Sequence, residues 1–237
     1  MNDTTKNTRE FCLLSALPNN DWERLIPSLK KVILPCGMVL CEANKNFNYI
    51  YFPITAVISL LYTTEAGQST EIAVIGNEGA VGVSLFMGGI STTSKAIVQT
   101  SGSCLKLSRN ELKREFDLGG AVHYLLLKYT QALLTQISQI SICNKHHTIK
   151  QKLCRWLLIN LDKQLDNHLY ITQELISELL GVRRSGINEA ALVLQKVGAI
   201  EYVRGHITIL NRTKLEYLSC ECYSVIKKEY DRLLPPQ

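Results

Sequence analysis

The hydrophobic pattern of the chain changes its period at Gly119-Gly120. From about Lys31 to Ser108, short apolar runs alternate between two faces and are separated by turn residues, which is typical of β-strands. After the glycine pair, apolar side chains recur every three or four residues, as they do on amphipathic helices. A chain of 237 residues with 46% hydrophobic side chains is also too long for one minimal domain. We therefore predict two domains, an all-β unit followed by a helical one.

Seven short runs in the first part predict the strands of an antiparallel barrel or sandwich, with short helices before them. Glycine and proline mark the turns between these runs, for example at Pro35-Cys36-Gly37 and Ser101-Gly102. The predicted strands cover residues 32–34, 38–40, 49–52, 57–62, 71–75, 96–99 and 104–107.

Charge and polarity argue against a disordered or membrane-spanning chain. Charged residues make up 20% of the sequence, and the two uncharged runs at 46–64 and 79–94 are interrupted by polar residues or glycine. The first ten residues are polar where a signal peptide would be apolar, so we expect a cytoplasmic protein with no membrane partner. The net charge is +1 up to Asn144 and +4 after it, which favours nucleic acid as a partner of the C-terminal part.

Eight cysteines are spread along the chain without the dense spacing of a small secreted domain, so we expect free thiols. The only close pair is Cys220 and Cys222, and the sequence offers no second pair at zinc-ligand spacing. We predict a structural role for this pair, no metal site and no cofactor. A redox role for the two thiols is the alternative.

The spacing of residues 172–196 is that of a helix-turn-helix. Thr172 is a good N-cap for a first helix, and Gly181 can take the positive φ of the turn. A second helix is predicted from Arg183 or Arg184 to Lys196. The side chains expected to be buried by the two helices are Ile176, Ser177, Leu180, Val182, Ile187, Ala190, Ala191, Leu192, Leu194 and Val197.

The second helix leaves side chains near its N-terminus that can read base edges, since arginine pairs with guanine, asparagine with adenine and glutamate with cytosine. Residues 201–210 alternate as two strands around a basic tip, which predicts a wing that contacts phosphates. The alternative is a small helical bundle closed by a hairpin. The predicted DNA-contacting residues are Thr172, Gln173, Arg183, Arg184, Ser185, Asn188, Glu189, Arg204 and His206.

The long helix after Gly120 carries a coiled-coil-like apolar stripe. A stripe this long beside a compact barrel needs a partner, so we predict a homodimer, with packing in the chain's own core as the alternative. The predicted dimer residues are Leu126, Tyr129, Leu133, Ile137 and Ile140.

These features together resemble the Crp/Fnr superfamily of bacterial transcription regulators. The likeness is strongest over residues 171–175 (ITQEL), 181–187 (GVRRSGI), 195–200 (QKVGAI) and 204–210 (RGHITIL), and Cys220-Glu-Cys-Tyr223 is typical of one subgroup. The resemblance implies an α+β chain with four parts. These are a cyclic-nucleotide-binding-like antiparallel β-barrel or jelly roll at 1–116, a dimerisation helix at 117–145, a winged helix-turn-helix at 146–212 and a C-terminal helix at 213–237.

The resemblance also assigns roles on the second helix of the motif. Arg184, Ser185 and Glu189 fall on the family's base-reading positions, and Arg184 is most like the guanine-contacting arginine. Ser185 departs from the pattern, because a larger acidic side chain often stands there. The operator therefore need not match that of better-known relatives.

The barrel departs further from the family pattern. Nucleotide-binding members carry a Gly-Glu pair for the ribose and an arginine for the cyclic phosphate, and Val83 and Ser94 stand near the glutamate and arginine positions here. Lys95 could supply a point charge instead. The candidate effector pocket consists of Gly82, Val83, Ser84, Ser94 and Lys95. The cysteine cluster of the oxygen-sensing branch is missing, since only Cys12 lies near the N-terminus.

The predicted function is transcription regulation, not catalysis. The sequence has no Gly-x-Ser-x-Gly, phosphate-loop or His-Glu-x-x-His motif, and only His123 of the five histidines precedes residue 146. The expected partners are double-stranded DNA, a second copy of the chain and an unknown small-molecule effector, with RNA polymerase as a further candidate. An effector signal would pass through a hinge near Asn144 to Thr148. The alternatives are a constitutive regulator and a redox or small-ligand sensor that acts through protein partners.

Overall fold

The computed structural model of the chain describes residues 12–164 and 167–234, so the polar first ten residues lie outside the described part. Packing groups the chain into two units. The first comprises residues up to 60, 75–134 and those from 229 onward, and the second comprises 61–74 and 135–228. The boundaries after 116, 145 and 212 stay a prediction. No helix within 12–164 or 167–234 is long and apolar enough to cross a membrane.

All seven predicted strands are present, and the ends of each strand differ from the sequence estimate by at most two residues. They form two sheets, of order β1-β7-β3 and β2-β6-β4-β5, and the β1–β7, β3–β7 and β2–β6 pairs are antiparallel. The strands are β1 (Lys30–Leu34), β2 (Val39–Cys41), β3 (Tyr49–Pro53), β4 (Val57–Thr63), β5 (Ser69–Ile75), β6 (Lys95–Thr100) and β7 (Gly102–Ser108).

The alternation of side chains explains why the strands were recognisable. Ile50 and Phe52 of β3 are buried, and the register pairs them with Leu107 and Leu105 of β7, which are buried as well. Successive side chains of a strand point to opposite faces, so every second residue reaches the core. The antiparallel barrel-like unit with an N-terminal helix α1 (Asn19–Leu25) is thus confirmed.

Two helices follow the barrel strands. The first, α2 (Arg109–Asp117), begins where the Ser108 hydroxyl accepts a hydrogen bond from the Glu111 amide. The second, α3 (Ala121–His146), is 26 residues long.

The prediction that the apolar stripe of α3 forms the dimer interface is wrong. Tyr129 is 0% exposed, and its hydroxyl donates a hydrogen bond to the Ala80 carbonyl at 2.9 Å. Leu126, Leu133 and Ile140 are also buried, and Ile137 is half-buried. The stripe packs in the chain's own core, because a helical apolar stripe does not specify whether its partner belongs to the same chain. The large apolar side chains exposed on α3 are Tyr124, Leu127, Leu134 and Ile142.

The described residues of the C-terminal part form a three-stranded sheet of order β8-β10-β9 and five further helices. Helix α4 starts with a capping box between Thr148 and Gln151. The expected single C-terminal helix is two helices, interrupted at Ser219-Cys220. The elements are α4 (Ile149–Asp162), β8 (His168–Tyr170), α5 (Gln173–Leu180), α6 (Arg184–Lys196), β9 (Ile200–Val203), β10 (His206–Ile209), α7 (Arg212–Leu218) and α8 (Glu221–Leu233).

Candidate nucleic-acid interface

Local hydrogen bonds fix the turn between α5 and α6. The Thr172 hydroxyl accepts a hydrogen bond from the Leu175 amide at 3.2 Å, as predicted for an N-cap. Gly181 ends α5 with φ of 62°, and the next amide, of Val182, donates to the Ser177 carbonyl at 3.0 Å. This is the pattern of a Schellman C-cap, in which a residue without Cβ takes the left-handed conformation at little cost. The turn that aims α6 is therefore determined by short-range sequence.

The buried face of α6 follows the helical period. Ile187, Ala190, Ala191 and Leu194 are buried, three or four residues apart. The prediction that Leu192 and Val197 belong to this core is wrong, because Leu192 is 55% exposed and Val197 is also exposed. Leu192 lies five residues after Ile187, which places it roughly 140° further around the helix.

The remaining predicted contacts between the helices largely hold. Ile176, Leu180 and Ser177 are buried, while Val182 is only half-buried. A Cβ at Gly186 would lie 2.5 Å from the Ile149 Cδ1 atom, so the start of α6 approaches α4 closely.

The N-terminal half of α6 presents its polar side chains to solvent. Arg183 is the N-cap residue, and Arg183, Arg184, Ser185, Asn188 and Glu189 are all exposed. Within the described chain, neither arginine forms an ion pair. The structure thus places all five predicted base-reading residues on one accessible surface.

Residues of α5 border this surface. The Gln173 side-chain amide donates a hydrogen bond to Asn188 Oδ1 at 3.4 Å, which links the start of α5 to α6. Thr172 is exposed although its hydroxyl serves as the cap.

The wing has a tight basic tip. Arg204 and Gly205 connect β9 to β10 with φ of 49° and 81°, as required for a two-residue hairpin that follows the strand twist. Arg204 is exposed and forms no ion pair with any residue that the structure describes. His206 instead lies within β10, where its ring stacks on Tyr170 at 4.6 Å and on His168 at 5.1 Å.

His206 is therefore less accessible than predicted. Its Nε2 atom is buried and has no hydrogen-bond partner in the described residues. The strand β8, which the sequence did not predict, supplies both stacking rings and pairs with β10 through Tyr170 and His206. Only three residues long, β8 is too short for an alternating pattern to be seen.

In the candidate effector loop of the barrel, Ser94 and Lys95 pair with neighbouring side chains. Gly82 has φ of 117° and precedes a short 3₁₀ turn at Val83–Leu85. The Ser94 hydroxyl shares a hydrogen bond with the Thr92 hydroxyl at 3.0 Å, and Lys95 Nζ lies 3.7 Å from Glu42 Oε1. The Ser84 hydroxyl is buried and has no partner among residues 12–164 and 167–234.

Two models of known protein families match separate parts of the chain. Residues 31–117 match the model of the cyclic nucleotide-binding domain, and residues 151–218 match the model of the Crp-like helix-turn-helix domain. Together these matches cover more than half of the chain. The chain belongs to the Crp/Fnr superfamily.

Solved Crp/Fnr structures share this fold at low sequence identity. A regulator assigned to the Crp/Fnr family from Eubacterium rectale matches with a TM-score of 0.68 and 16% identity, over 87% of this chain and 96% of that chain. FixK2 from Bradyrhizobium japonicum matches with a TM-score of 0.67 and 15% identity, over 81% and 98%. A CooA mutant from Carboxydothermus hydrogenoformans matches with a TM-score of 0.64 and 15% identity, over 88% of this chain and 96% of that chain. Among curated proteins, no sequence matches this chain.

The candidate loop of the barrel, from Gly82 to Lys95, offers a cyclic phosphate no unpaired cation among the described residues. Lys95, the only cation of this loop, is paired with the Glu42 carboxylate. A phosphate bound there would be attracted by Lys95 and repelled by Glu42. Val83 offers no acceptor for ribose hydroxyl groups.

The structure brings together four side chains that their spacing along the chain did not predict to be neighbours. The ligand atoms of Cys143, His147, Cys220 and Cys222 all lie within 4.8 Å of one another. The claim that the sequence contains no second ligand pair is therefore wrong, because Cys143 and His147 form one at the i, i+4 spacing of a helix face. This pair mixes two residue types, so it does not match the pattern of two closely spaced cysteines. The hydrogen bond with Cys143 lowers the pKa of the Cys220 thiol below its ordinary value.

Proposed function

We propose that the protein is a sequence-specific DNA-binding transcriptional regulator that works as a homodimer on a near-palindromic operator. The observation that carries this proposal is the pair Arg183 and Arg184, exposed at the N-terminus of α6 and free of ion pairs within the described chain. In a helix-turn-helix, the N-terminal residues of the second helix contact base edges in the major groove. A side chain that holds no internal partner keeps its full hydrogen-bonding capacity for DNA.

Each exposed residue of α6 has a distinct role in this proposal. Arg184 binds guanine through both of its terminal nitrogens, Asn188 binds adenine, and Glu189 accepts a hydrogen bond from cytosine. Arg183 and Ser185 lie beside them on the same exposed turn.

Phosphate contacts come from the border of this surface. Arg204 at the wing tip and Thr172 and Gln173 at the start of α5 set the position of α6 without reading sequence. His206 contributes indirectly, since its ring stacks on Tyr170 behind the tip.

The dimer forms through the exposed face of α3, not the buried stripe. Tyr124, Leu127, Leu134 and Ile142 follow one side of the helix at intervals of three, seven and eight residues. Such spacing keeps side chains on one seam, as in a coiled coil. A two-fold axis along this seam would present two copies of α6 to successive major grooves, about one helical turn apart.

The barrel in this proposal either senses an effector that is not a cyclic nucleotide or supports the dimer without a ligand. A signal would act at the junction of α3 and α4, near Asn144 to Thr148, by shifting the population of the DNA-competent state. RNA polymerase is a further candidate partner. No enzymatic activity is proposed. A sensor that acts only through protein partners would leave the exposed arginines of α6 without a function.

The experiment is fluorescence anisotropy with DNA from the region upstream of the protein's own gene and from a genomic fragment library. Wild type is compared with Arg184→Ala at two salt concentrations. We expect Arg184→Ala to lose about 1–3 kcal/mol of discrimination between the selected site and random DNA. Binding should also weaken steeply with salt, because phosphate contacts release counterions.

Lys196→Ala is the matched control. Lys196 is exposed at the opposite end of α6, so removing its charge should leave discrimination unchanged. Equal losses in the two variants, or no selected site from the library, would show that α6 does not read sequence.

A further inference from the structure

The four side chains that lie together at the end of α3 and the start of α8 have the composition of a structural zinc site. Cys143 Sγ lies 3.5 Å from Cys220 Sγ, and Cys222 Sγ lies 3.6 Å from His147 Nδ1. All three cysteines are buried, and His147 is largely buried. Three thiolates and one imidazole are a common ligand set for Zn²⁺ in closed structural sites.

The spacing of the ligand atoms agrees with one shared ion. Two thiolates that bind a tetrahedral Zn²⁺ at about 2.3 Å stand about 3.8 Å apart, and a thiolate and an imidazole nitrogen about 3.6 Å apart. The observed separations of 3.5 and 3.6 Å differ from these values by only a few tenths of an ångström. All four ligand atoms lie within 4.8 Å of one another, so small side-chain movements would bring them to the distances of a tetrahedral site.

The orientation of His147 distinguishes this cluster from an ordinary core of buried thiols. Its Nδ1 atom faces Cys222, while its Nε2 atom lies 3.3 Å from Glu221 Oε1. A metal-binding histidine typically donates its second N–H to a carboxylate, which fixes the tautomer and the ring plane. Cysteines that only fill space would not need a histidine aimed into their midst by a carboxylate.

Helix α4, which begins two residues after His147, carries a buried positive charge. Arg155 of α4 is only 2% exposed, and its Nε atom has no hydrogen-bond partner among the described residues. Zn²⁺ with three thiolates and a neutral imidazole carries a net charge of −1. Arg155 would balance this charge, and a buried cation without such a neighbour is costly.

We propose that Cys143, His147, Cys220 and Cys222 bind one Zn²⁺ ion. The ion would connect the last turn of α3, the α3–α4 junction and the first turn of α8, so it would hold the junction in one conformation. This inference does not rest on the proposed DNA-binding function, because none of the four residues lies on the exposed surface of α6.

The test uses the full-length protein, expressed without a metal-affinity tag and purified under reducing conditions. Elemental analysis should find about one zinc per chain. After removal of the metal with a chelator, titration with Co²⁺ should produce the strong visible absorption of a tetrahedral thiolate site and saturate at one equivalent. Zn²⁺ should then displace Co²⁺ and raise the midpoint of thermal unfolding by about 5 °C or more over the metal-free chain.

Two ligand variants and two controls assign the site. His147→Ala and Cys222→Ser should lose the Co²⁺ absorption and at least tenfold in zinc affinity. Cys154→Ala, which removes a buried cysteine of α4 outside the ligand set, and Cys36→Ser, which removes an exposed one, should retain both. Circular dichroism checks that each variant folds, and the cobalt titration of wild type does not depend on any variant.

Three outcomes would overturn the proposal. One is the absence of both bound zinc and the cobalt spectrum in the reduced wild-type chain. Another is the presence of iron with inorganic sulfide in place of zinc. The third is a Cys143–Cys220 disulfide in the isolated chain, which would make the cluster a redox pair. DNA binding is not measured here, so failure of the regulator proposal cannot be mistaken for any of them.

Discussion

The N-terminal half of α6 and the barrel loop from Gly82 to Lys95 both lie where a Crp/Fnr protein can meet phosphate-bearing ligands, but their cations differ. Arg183 and Arg184 are exposed and form no ion pair within the described residues, whereas Lys95 is paired with Glu42 at 3.7 Å. The same chain therefore has one surface whose arginines are unpaired within the described residues and one barrel loop whose cation is paired. The fold alone would suggest a phosphate-bearing ligand for both α6 and the barrel loop.

The energetic difference follows from Coulomb's law. Two unit charges 4 Å apart interact by about 4 kcal/mol at an effective dielectric constant near 20, typical of pairs near a protein surface. A phosphate next to Lys95 would gain attraction of this order and lose a similar amount to repulsion by Glu42. A phosphate next to Arg184 meets no such carboxylate partner. The comparison therefore predicts DNA binding without cyclic-nucleotide binding.

The largest expected effect comes from separating the two copies of α6. Leu134 is 58% exposed on the proposed seam of α3, so Leu134→Glu would place two like charges against each other across the two-fold axis. Juxtaposed like charges cost several kcal/mol, so the dimer should dissociate and operator affinity should fall by more than about 100-fold. Sedimentation velocity and anisotropy measure the two effects. The barrel should unfold at nearly the same temperature, because the substituted side chain is exposed.

Leu118→Glu is the matched control for this variant. Leu118 is 60% exposed at the C-terminal end of α2 and lies outside the seam. The control should sediment as wild type. A Leu134→Glu protein that remains dimeric would move the interface away from the exposed face of α3.

A smaller effect is expected at the wing. Arg204→Ala removes one proposed phosphate contact, so affinity should fall by about tenfold for every sequence alike. The slope of log affinity against log salt should become shallower by about 0.9. Lys228→Ala, an exposed lysine on α8, should change neither quantity. A loss confined to the selected operator would mean that Arg204 reads bases, which would place a second specificity element on the wing.

The parts of the molecule that the sequence predicted well depend on neighbours along the chain. All seven barrel strands were found because alternation needs only a few residues, and the α5 cap at Thr172 and turn at Gly181 are set by contacts within five residues. The exposed residues of α6 follow from the same local period.

The errors concern partners that are distant in sequence. The stripe containing Tyr129 is apolar whichever surface covers it. Only the fold shows that the Tyr129 hydroxyl donates a hydrogen bond to the Ala80 carbonyl. Cys143 and Cys220 are 77 residues apart, so no local spacing links them. Lys95 could not be paired with Glu42 from sequence either, because 53 residues separate them. These contacts determine where the dimer face and the metal site are proposed and how the candidate effector loop is charged.

The smallest expected effect is the response to cyclic nucleotides, and it tests the pairing of Lys95 most directly. Isothermal titration of wild type with cyclic AMP or cyclic GMP should show no saturable heat up to about 1 mM, which corresponds to a binding free energy weaker than about −4 kcal/mol. Glu42→Gln keeps the size of the side chain and removes the repelling carboxylate.

The variant should therefore bind more tightly than wild type, but by no more than about tenfold, because Lys95 remains a single point charge on a flexible stem. Val83 still leaves the ribose hydroxyl groups without an acceptor. Micromolar binding by wild type would mean that the ion pair between Lys95 and Glu42 opens at little cost. Both α6 and the barrel loop could then bind a phosphate, and the pairing of Lys95 would not distinguish them.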